Sequence, residues 1–205
     1  METSIAARLR KVAEAHFPTR FGEFRIFGFE GGDPSQPEEI VALLMGDLSG
    51  SPPPLVRIHS QCLTGDVFHS ERCDCRSQLE MAFEMIAAEG YGLVIYEMQE
   101  GRGIGLLNKL RAYELQDAGA DTVEANEQLG FEADLRNYAL PAAVLQYFGV
   151  EQVRLLSNNP EKIDALERSG IRVVERVPCL ISPNSFTGCY LRTKKEKLGH
   201  LLEGF

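Results

Sequence analysis

The sequence lacks a surplus of positive charge. Its 21 lysine and arginine residues face 30 aspartate and glutamate residues, for a formal net charge of −9. That excludes a general nucleic-acid binder, which presents a basic face to phosphate. It does not exclude a phosphorylated small molecule, because a site needs only a few local cations. Long apolar runs are also missing. No stretch approaches the ~20 residues of a membrane span, and Met1 to Phe17, with Arg8, Arg10 and Lys11, has no apolar core of a signal peptide. No nucleic-acid partner and no membrane are therefore expected. There is no internal repeat, low-complexity tract or linker, and with 44% apolar and 25% charged residues nothing points to disorder. A chain of 205 residues buries a sizeable core without disulfides or a structural metal, and it is read as one domain, residues 1–205. Cysteines are few and odd in number, five. Without a signal peptide this fits a reducing cytoplasm, where cysteines serve more often as ligands than as disulfides.

What the sequence does have is a concentration of those cysteines. Arg57-Ile58-His59-Ser60-Gln61-Cys62-Leu63-Thr64-Gly65-Asp66 is followed by Cys73-Asp74-Cys75. Cysteines at i and i+2 in extended or turn backbone can turn both sulfurs to one side, and Cys62 can complete a three-sulfur face. Such a set suits a soft or borderline cation, zinc above all, with a fourth position open to water. The alternative is three ordinary small buried hydrophobes. The neighbours Arg72, Asp74, Arg76 and Ser77 are poor company for a core. Cys179 and Cys189 read as structural.

Along the chain, Thr3 to His16 has helical periodicity through Ile5, Leu9, Val12 and Ala15. Glu23 to Glu30 alternates, with Phe24, Ile26 and Phe29 or Phe27 inward, and reads as a strand. A turn at Gly31 to Ser35 leads to a hairpin partner, Glu39 to Gly46, with Val41, Leu43 and Met45 on one side. Ser51-Pro52-Pro53-Pro54 is a stiff connector, and Leu55 to His59 a third strand. Ser77-x-x-Glu80 predicts a capped helix closed by Gly90. Gly92 to Met98 is a strand, and Leu106 to Ala118 a helix with Leu106, Leu110 and Tyr113 on one face. Asn137 caps a helix to Phe148, and Val153 to Ser157 is a strand. Asn159-Pro160 opens a helix to Arg168, Ile171 to Val177 is a strand, and Thr193-x-x-Glu196 caps a last helix. Strand–helix alternation behind a mostly-strand N-terminal portion predicts a mixed α/β (α+β) fold, a mixed sheet flanked by helices.

Gln99-Glu100-Gly101-Arg102-Gly103-Ile104-Gly105 joins a strand to a helix, where backbone N–H groups hold phosphate. A tight turn needs the same glycines. Arg102 favours phosphate, because a guanidinium forks onto its oxygens. Arg57, Arg136 and Lys162 lie near element ends, where a solvated surface charge is the ordinary outcome. Lys162 in a first helical turn opposes the helix dipole unless an anion is near. Asp134-Leu135-Arg136 can face both charges one way in extended chain, or form a local ion pair of little worth at a surface.

These motifs, with Asp121-Thr122-Val123-Glu124-Ala125-Asn126, Asn158-Asn159-Pro160 and Leu191-x-Thr193-Lys194-Lys195-Glu196-Lys197-x-Gly199-His200, occur in an order that resembles GTP cyclohydrolase II from about Val12 to Leu202. That family opens the imidazole ring of GTP and releases formate and pyrophosphate, giving the pyrimidine that starts riboflavin synthesis. The resemblance implies zinc on Cys62, Cys73 and Cys75. It implies GTP contacts from Arg57, Ile58, His59, Ser60 and Gln61, and from Gln78, Glu100, Gly101, Arg102, Thr122, Ser157 and Lys162. Asp134 would be the proton acceptor, Arg136 the nucleophile toward the α-phosphate, and Tyr113 a neighbour of the reacting base. Magnesium carried by the substrate phosphates and a homodimer are also implied. The family often occurs fused to a second riboflavin enzyme, which is not expected within these residues.

Gln61 for glutamate, Met98 for arginine and Ser157 for threonine depart from the family pattern, as do the Pro141-Ala142-Ala143 segment and the Ser182 to Gly188 stretch. None removes a metal ligand or the Asp134–Arg136 pair, so an active enzyme is expected. The competing functions are a cyclohydrolase that stops at the formylated pyrimidine and a zinc-stabilised GTP-binding module without turnover.

Overall fold

The structure is a computed structural model that describes residues 9–181 and 187–202, with side chains for all of these but 36 and 187–191. Its frame is a seven-stranded mixed sheet. In chain order the strands are β1 (Arg10–Thr19), β2 (Gly22–Asp33), β3 (Gln36–Met45), β4 (Leu55–Ser60), β5 (Gly92–Glu97), β6 (Gln152–Leu156) and β7 (Arg172–Val177). The helices are α1 (Leu63–Asp66), α2 (Cys75–Glu89), α3 (Leu106–Asp117), α4 (Thr122–Gln128), α5 (Ala139–Tyr147), α6 (Pro160–Arg168) and α7 (Thr187–Leu198). Strand order across the sheet is β1-β2-β3-β5-β4-β6-β7. The first three strands and β5 pair antiparallel, while β5, β4, β6 and β7 run parallel. The expected mixed α/β architecture is present.

Both faces of the sheet are covered. On β2, Phe27 and Phe29 belong to one core and Phe24 to the other, with Ile26 packed against the latter. On β3, Ile40, Ala42 and Leu44 join the first core, and Leu43, with Val41 and Met45 beside it, the second. Helices α5 and α6 close the first core through Leu140, Val144, Leu145 and Leu166, and α2 closes the second through Ala82 and Ile86. Cys179 is buried in that second core, while the Cys189 side chain lies outside the described residues.

Several local expectations are corrected. Residues 10–16 of the expected terminal helix are strand β1, Leu9 is neither helix nor strand, and residues 3–8 lie outside the described residues. β1 is exposed along nearly its whole length. Its form is set by backbone pairing to β2, so side-chain periodicity carried no information there. Ser77 lies inside α2, which starts at Cys75 after Asp74. Thr193 is likewise inside α7 and not its cap. On α3 Leu110 is 41% exposed, and Ala112 is buried instead. Helix α4 was unassigned, although Asp121 and Glu124 form a reciprocal capping box at its start.

Other signals hold. Gly90 ends α2 in the left-handed conformation, and Asn159 caps α6 with Pro160 at its first position. The cap position of α5 is Tyr138 and not the expected Asn137, which accepts from the Ala139 N–H at 2.8 Å from one residue further out.

Candidate active site

The carboxyl ends of parallel strands are where open α/β sheets hold ligands, and the carboxyl ends of β4, β5 and β6 converge on one cavity of about 300 Å³. Strand β4 carries the transition from core to site. Leu55 packs into the α2-side core, but Arg57 and His59, next along on that face, line the cavity. Each is buried. Arg57 donates to the Leu156 carbonyl at 3.0 Å and to Gln78 Oε1 at 2.7 Å. Gln78 in turn donates to Asp74 Oδ2 at 2.6 Å, and Lys194 of α7 holds Asp74 Oδ1 at 2.8 Å. His59 Nε2 meets both Asp66 oxygens at 3.1 Å, and Tyr96 donates to the same carboxylate at 2.7 Å. Burial pushes the His59 imidazole toward its neutral form despite Asp66.

The sulfur atoms of Cys62, Cys73 and Cys75 lie within 4.8 Å of one another, and Cys62 and Cys73 are 3.6 Å apart. Two thiolates held at ~2.3 Å by a tetrahedral zinc would be about 3.8 Å apart, so the set fits this ion. The surroundings fit as well. A Cβ on Gly65 would stand 2.8 Å from Cys73 Sγ and 3.1 Å from Cys62 Sγ, so only glycine leaves this space free. Hydrogen bonds from Cys73 and Cys75 hold the Cys62 thiol far below its usual range, with Lys109 adding to the effect. The bond to Cys62 in turn pushes Cys73 up to about 11 and raises Cys75 well above its usual range. Thiolates are what a zinc ion binds, so the lowered Cys62 thiol suits the cradle to a divalent cation.

Across the cavity, Gly101 and Arg102 both adopt left-handed backbone, at φ 63° and 60°. For arginine this is a strained conformation. It turns in a guanidinium whose two terminal nitrogens are buried without a hydrogen-bond partner among the described residues, which is the arrangement that receives an anion. Glu100 accepts from the Leu63 and Gly101 N–H groups at 2.6 and 2.9 Å and so locks this loop to α1.

Asp134 and Arg136 form a bidentate pair, Nε to Oδ1 at 2.8 Å and the Nη2–Oδ2 contact beside it, and both side chains are mostly buried. Burial works against the Asp134 charge, but Arg136 outweighs it and holds the carboxyl below its usual range. Asp134 likewise outweighs the burial of Arg136 and keeps its guanidinium above the ordinary arginine value. Arg136 also reaches Ser60 Oγ at 3.3 Å, and Ser60 donates to the buried Glu97 at 3.0 Å. Lys162 is buried and donates to the Ile58 carbonyl at 2.8 Å. Burial, with Arg57 nearby, lowers its pKa well below that of a free lysine.

Comparison with known proteins decides the family. A profile of GTP cyclohydrolase II matches residues 10–178. The chain belongs to the GTP cyclohydrolase II family. It is 54% identical over 195 residues to GTP cyclohydrolase-2 of Escherichia coli O9:H4 (strain HS), covering 95% of this chain and 98% of that protein. It is 53% identical over 195 residues to GTP cyclohydrolase-2 of Proteus mirabilis (strain HI4320), covering 95% and 97%. Against riboflavin biosynthesis protein RibBA of Aquifex aeolicus (strain VF5) it is 55% identical over 194 residues, covering 94% of this chain and 47% of that protein. The chain thus spans about half the length of the RibBA relatives and nearly all of the GTP cyclohydrolase-2 ones.

As a member of the GTP cyclohydrolase II family, the chain brings most of its candidate residues to the one cavity. Gln61, Gln78, Tyr113, Thr122 and Ser157 line it with the groups already described. Two do not line it. The Ile58 side chain is in the α5-side core, leaving only its carbonyl toward Lys162. Asp134 stands behind Arg136 in a neighbouring cavity with Lys197 and His200.

Tyr113 is not a core packer. Its hydroxyl is 3.1 Å from Thr64 Oγ1, and burial keeps it protonated beyond the usual tyrosine range. Ser157 keeps a structural use for its hydroxyl, which accepts from the Asn159 N–H at 3.1 Å. Met98 is 44% exposed.

Lys109, Lys194 and His200 line the cavity without having been singled out from sequence. Lys194 and His200 fall inside the C-terminal motif that carried the resemblance. Lys109 sits four residues before Tyr113, and helical spacing puts the two on one face.

Proposed function

We propose that this chain hydrolyses GTP to 2,5-diamino-6-hydroxy-4-(5-phosphoribosylamino)pyrimidine, formate and pyrophosphate, the first step of riboflavin biosynthesis. The observation that carries this is the meeting, in one cavity, of a three-sulfur zinc cradle with the buried basic groups Arg57, Arg136 and Lys162 and with Arg102, whose terminal nitrogens have no hydrogen-bond partner among the described residues. A cradle for a metal suited to attack on a purine carbon and basic groups suited to a triphosphate thus line the same cavity.

Cys62, Cys73 and Cys75 would hold the zinc, which when bound supplies Lewis acidity that activates a water molecule. Tyr113, kept protonated by burial with its hydroxyl 3.1 Å from Thr64 Oγ1, would donate to the base as its ring opens. Arg57, Arg102 and Lys162 bind phosphate oxygens, with magnesium carried on those oxygens. At the α-phosphate, Arg136 attack would form an N–P bond and break the bond to the departing pyrophosphate. The resting pair keeps its proton on Arg136, so that proton must pass to Asp134 as the bond forms. With the proton retained, the same pair stabilises phosphoryl charge while water attacks. A covalent guanylyl adduct on Arg136 in rapidly quenched protein supports the first form, and its absence the second. A homodimer, as the family resemblance implies, in the reducing cytoplasm that the cysteine usage fits, completes the proposal.

Incubation with GTP and magnesium tests the whole reading. Formate and pyrophosphate in a one-to-one ratio are expected. Pyrophosphate without formate would identify an enzyme that stops at the formylated pyrimidine, and GTP binding without turnover a binding module.

A further inference from the structure

Lys109 stands on α3 one turn before Tyr113, and its side chain is 13% exposed. Its Nζ donates at once to Cys62 Sγ at 3.1 Å and to Glu100 Oε1 at 2.7 Å. Glu100 does not absorb this ammonium alone, because two backbone N–H groups already share its carboxylate. Its second contact is a charge-assisted hydrogen bond to a zinc-cradle sulfur.

Three thiolates bring three negative charges to an ion that carries two positive ones. The cluster is left at −1, a weaker Lewis acid than zinc on neutral imidazoles. A hydrogen bond to a ligating atom is a recognised way to tune such an ion. A cation on the sulfur withdraws electron density that would otherwise pass to the metal and offsets part of the local negative charge. We propose that Lys109 is a positioning residue for the ring-opening step, taking up part of the Cys62 thiolate charge so that the zinc ion remains acidic. This rests on the zinc reading above.

The test uses the full chain loaded with zinc or cobalt(II), in wild type, Lys109→Met and Lys109→Arg. In K109M, formate release should fall about 10- to 100-fold, and by more than pyrophosphate release. The sulfur-to-cobalt charge-transfer band should move to longer wavelength, as expected for a more electron-rich Cys62 sulfur. K109R should recover most of both.

An unmoved band with formate release intact overturns the proposal. So does an unmoved band with only the KM for GTP raised, which would make Lys109 a support for Glu100. Should K109M not fold, Lys109→Gln takes its place with the same readings. Failure of wild-type protein to take up either metal would overturn the zinc reading itself, and this proposal with it.

Discussion

At the scale of single residues, the metal cradle depends on an atom that is missing. Gly65 faces two of the three sulfurs, and a Cβ there would approach Cys73 Sγ to 2.8 Å, closer than such contacts allow. Gly65→Ala should therefore spread the cysteines at a cost of about 1–3 kcal/mol, as overpacking does. That corresponds to about 5- to 150-fold in zinc affinity. Competition against a chromophoric chelator measures it, and wild-type affinity in G65A would show that the cradle has slack. The cysteines themselves were legible in the sequence because polar neighbours surround them. The role of Gly65 was not, since it depends on which side chains the fold brings over it. Arg57 and Lys162 show the same limit. Near element ends they read as surface charges, yet both are buried, because the strand ends they accompany open onto a cavity and not onto solvent.

At the scale of elements, sequence signals located helices better than helix starts. Ser77-x-x-Glu80 and Thr193-x-x-Glu196 each carry the capping pattern, yet each falls inside a helix that begins earlier. For α2 the first residue is a metal-cradle cysteine, so its start follows the requirements of that loop. Strand β1 shows the opposite failure, an apparent helical period in residues whose form comes from pairing to β2.

The segment after α7 has its own consequence. His200 touches the cavity, and burial together with Lys194, Arg136, Arg102 and Lys162 pushes its pKa down to about 3. An unfolded histidine takes a proton near pH 6.5, before the folded one does. Stability should be greatest above that pH and decline as pH falls toward 3, by at most about 1.4 kcal/mol per pH unit from this group. The buried His59 acts in the same direction. His200→Asn should flatten the decline between pH 6.5 and 4.5 in chemical denaturation. Parallel curves for the two proteins would mean that His200 exchanges its proton in the folded state as freely as in the unfolded one.

At the scale of the whole molecule, the two cores and the metal cradle occupy different parts of the fold. Phe27, Ile58, Leu93, Val144 and Leu145 fill the α5 side, and Phe24, Leu55, Ala82, Ile86 and Val94 the α2 side. Neither set includes a cradle cysteine. The cradle cysteines themselves come from the residue before α1, the loop after it and the start of α2, and α1 is four residues long. A zinc ion there ties down a loop on a domain large enough to stand on its own core, unlike a zinc finger, whose folding is metal binding. Cys73→Ser, or exhaustive chelation of wild type, should therefore abolish formate release while far-UV circular dichroism stays unchanged. Thermal unfolding should remain cooperative, with the midpoint lowered only by the binding free energy lost. Pyrophosphate release should persist in both, because Arg136 and Asp134 are anchored by each other and by Ser60 and not by the cysteines. Collapse of the secondary structure on metal removal would assign the zinc to folding. Loss of pyrophosphate together with formate, in a protein still folded, would show that the phosphate end of the cavity cannot work without the metal end.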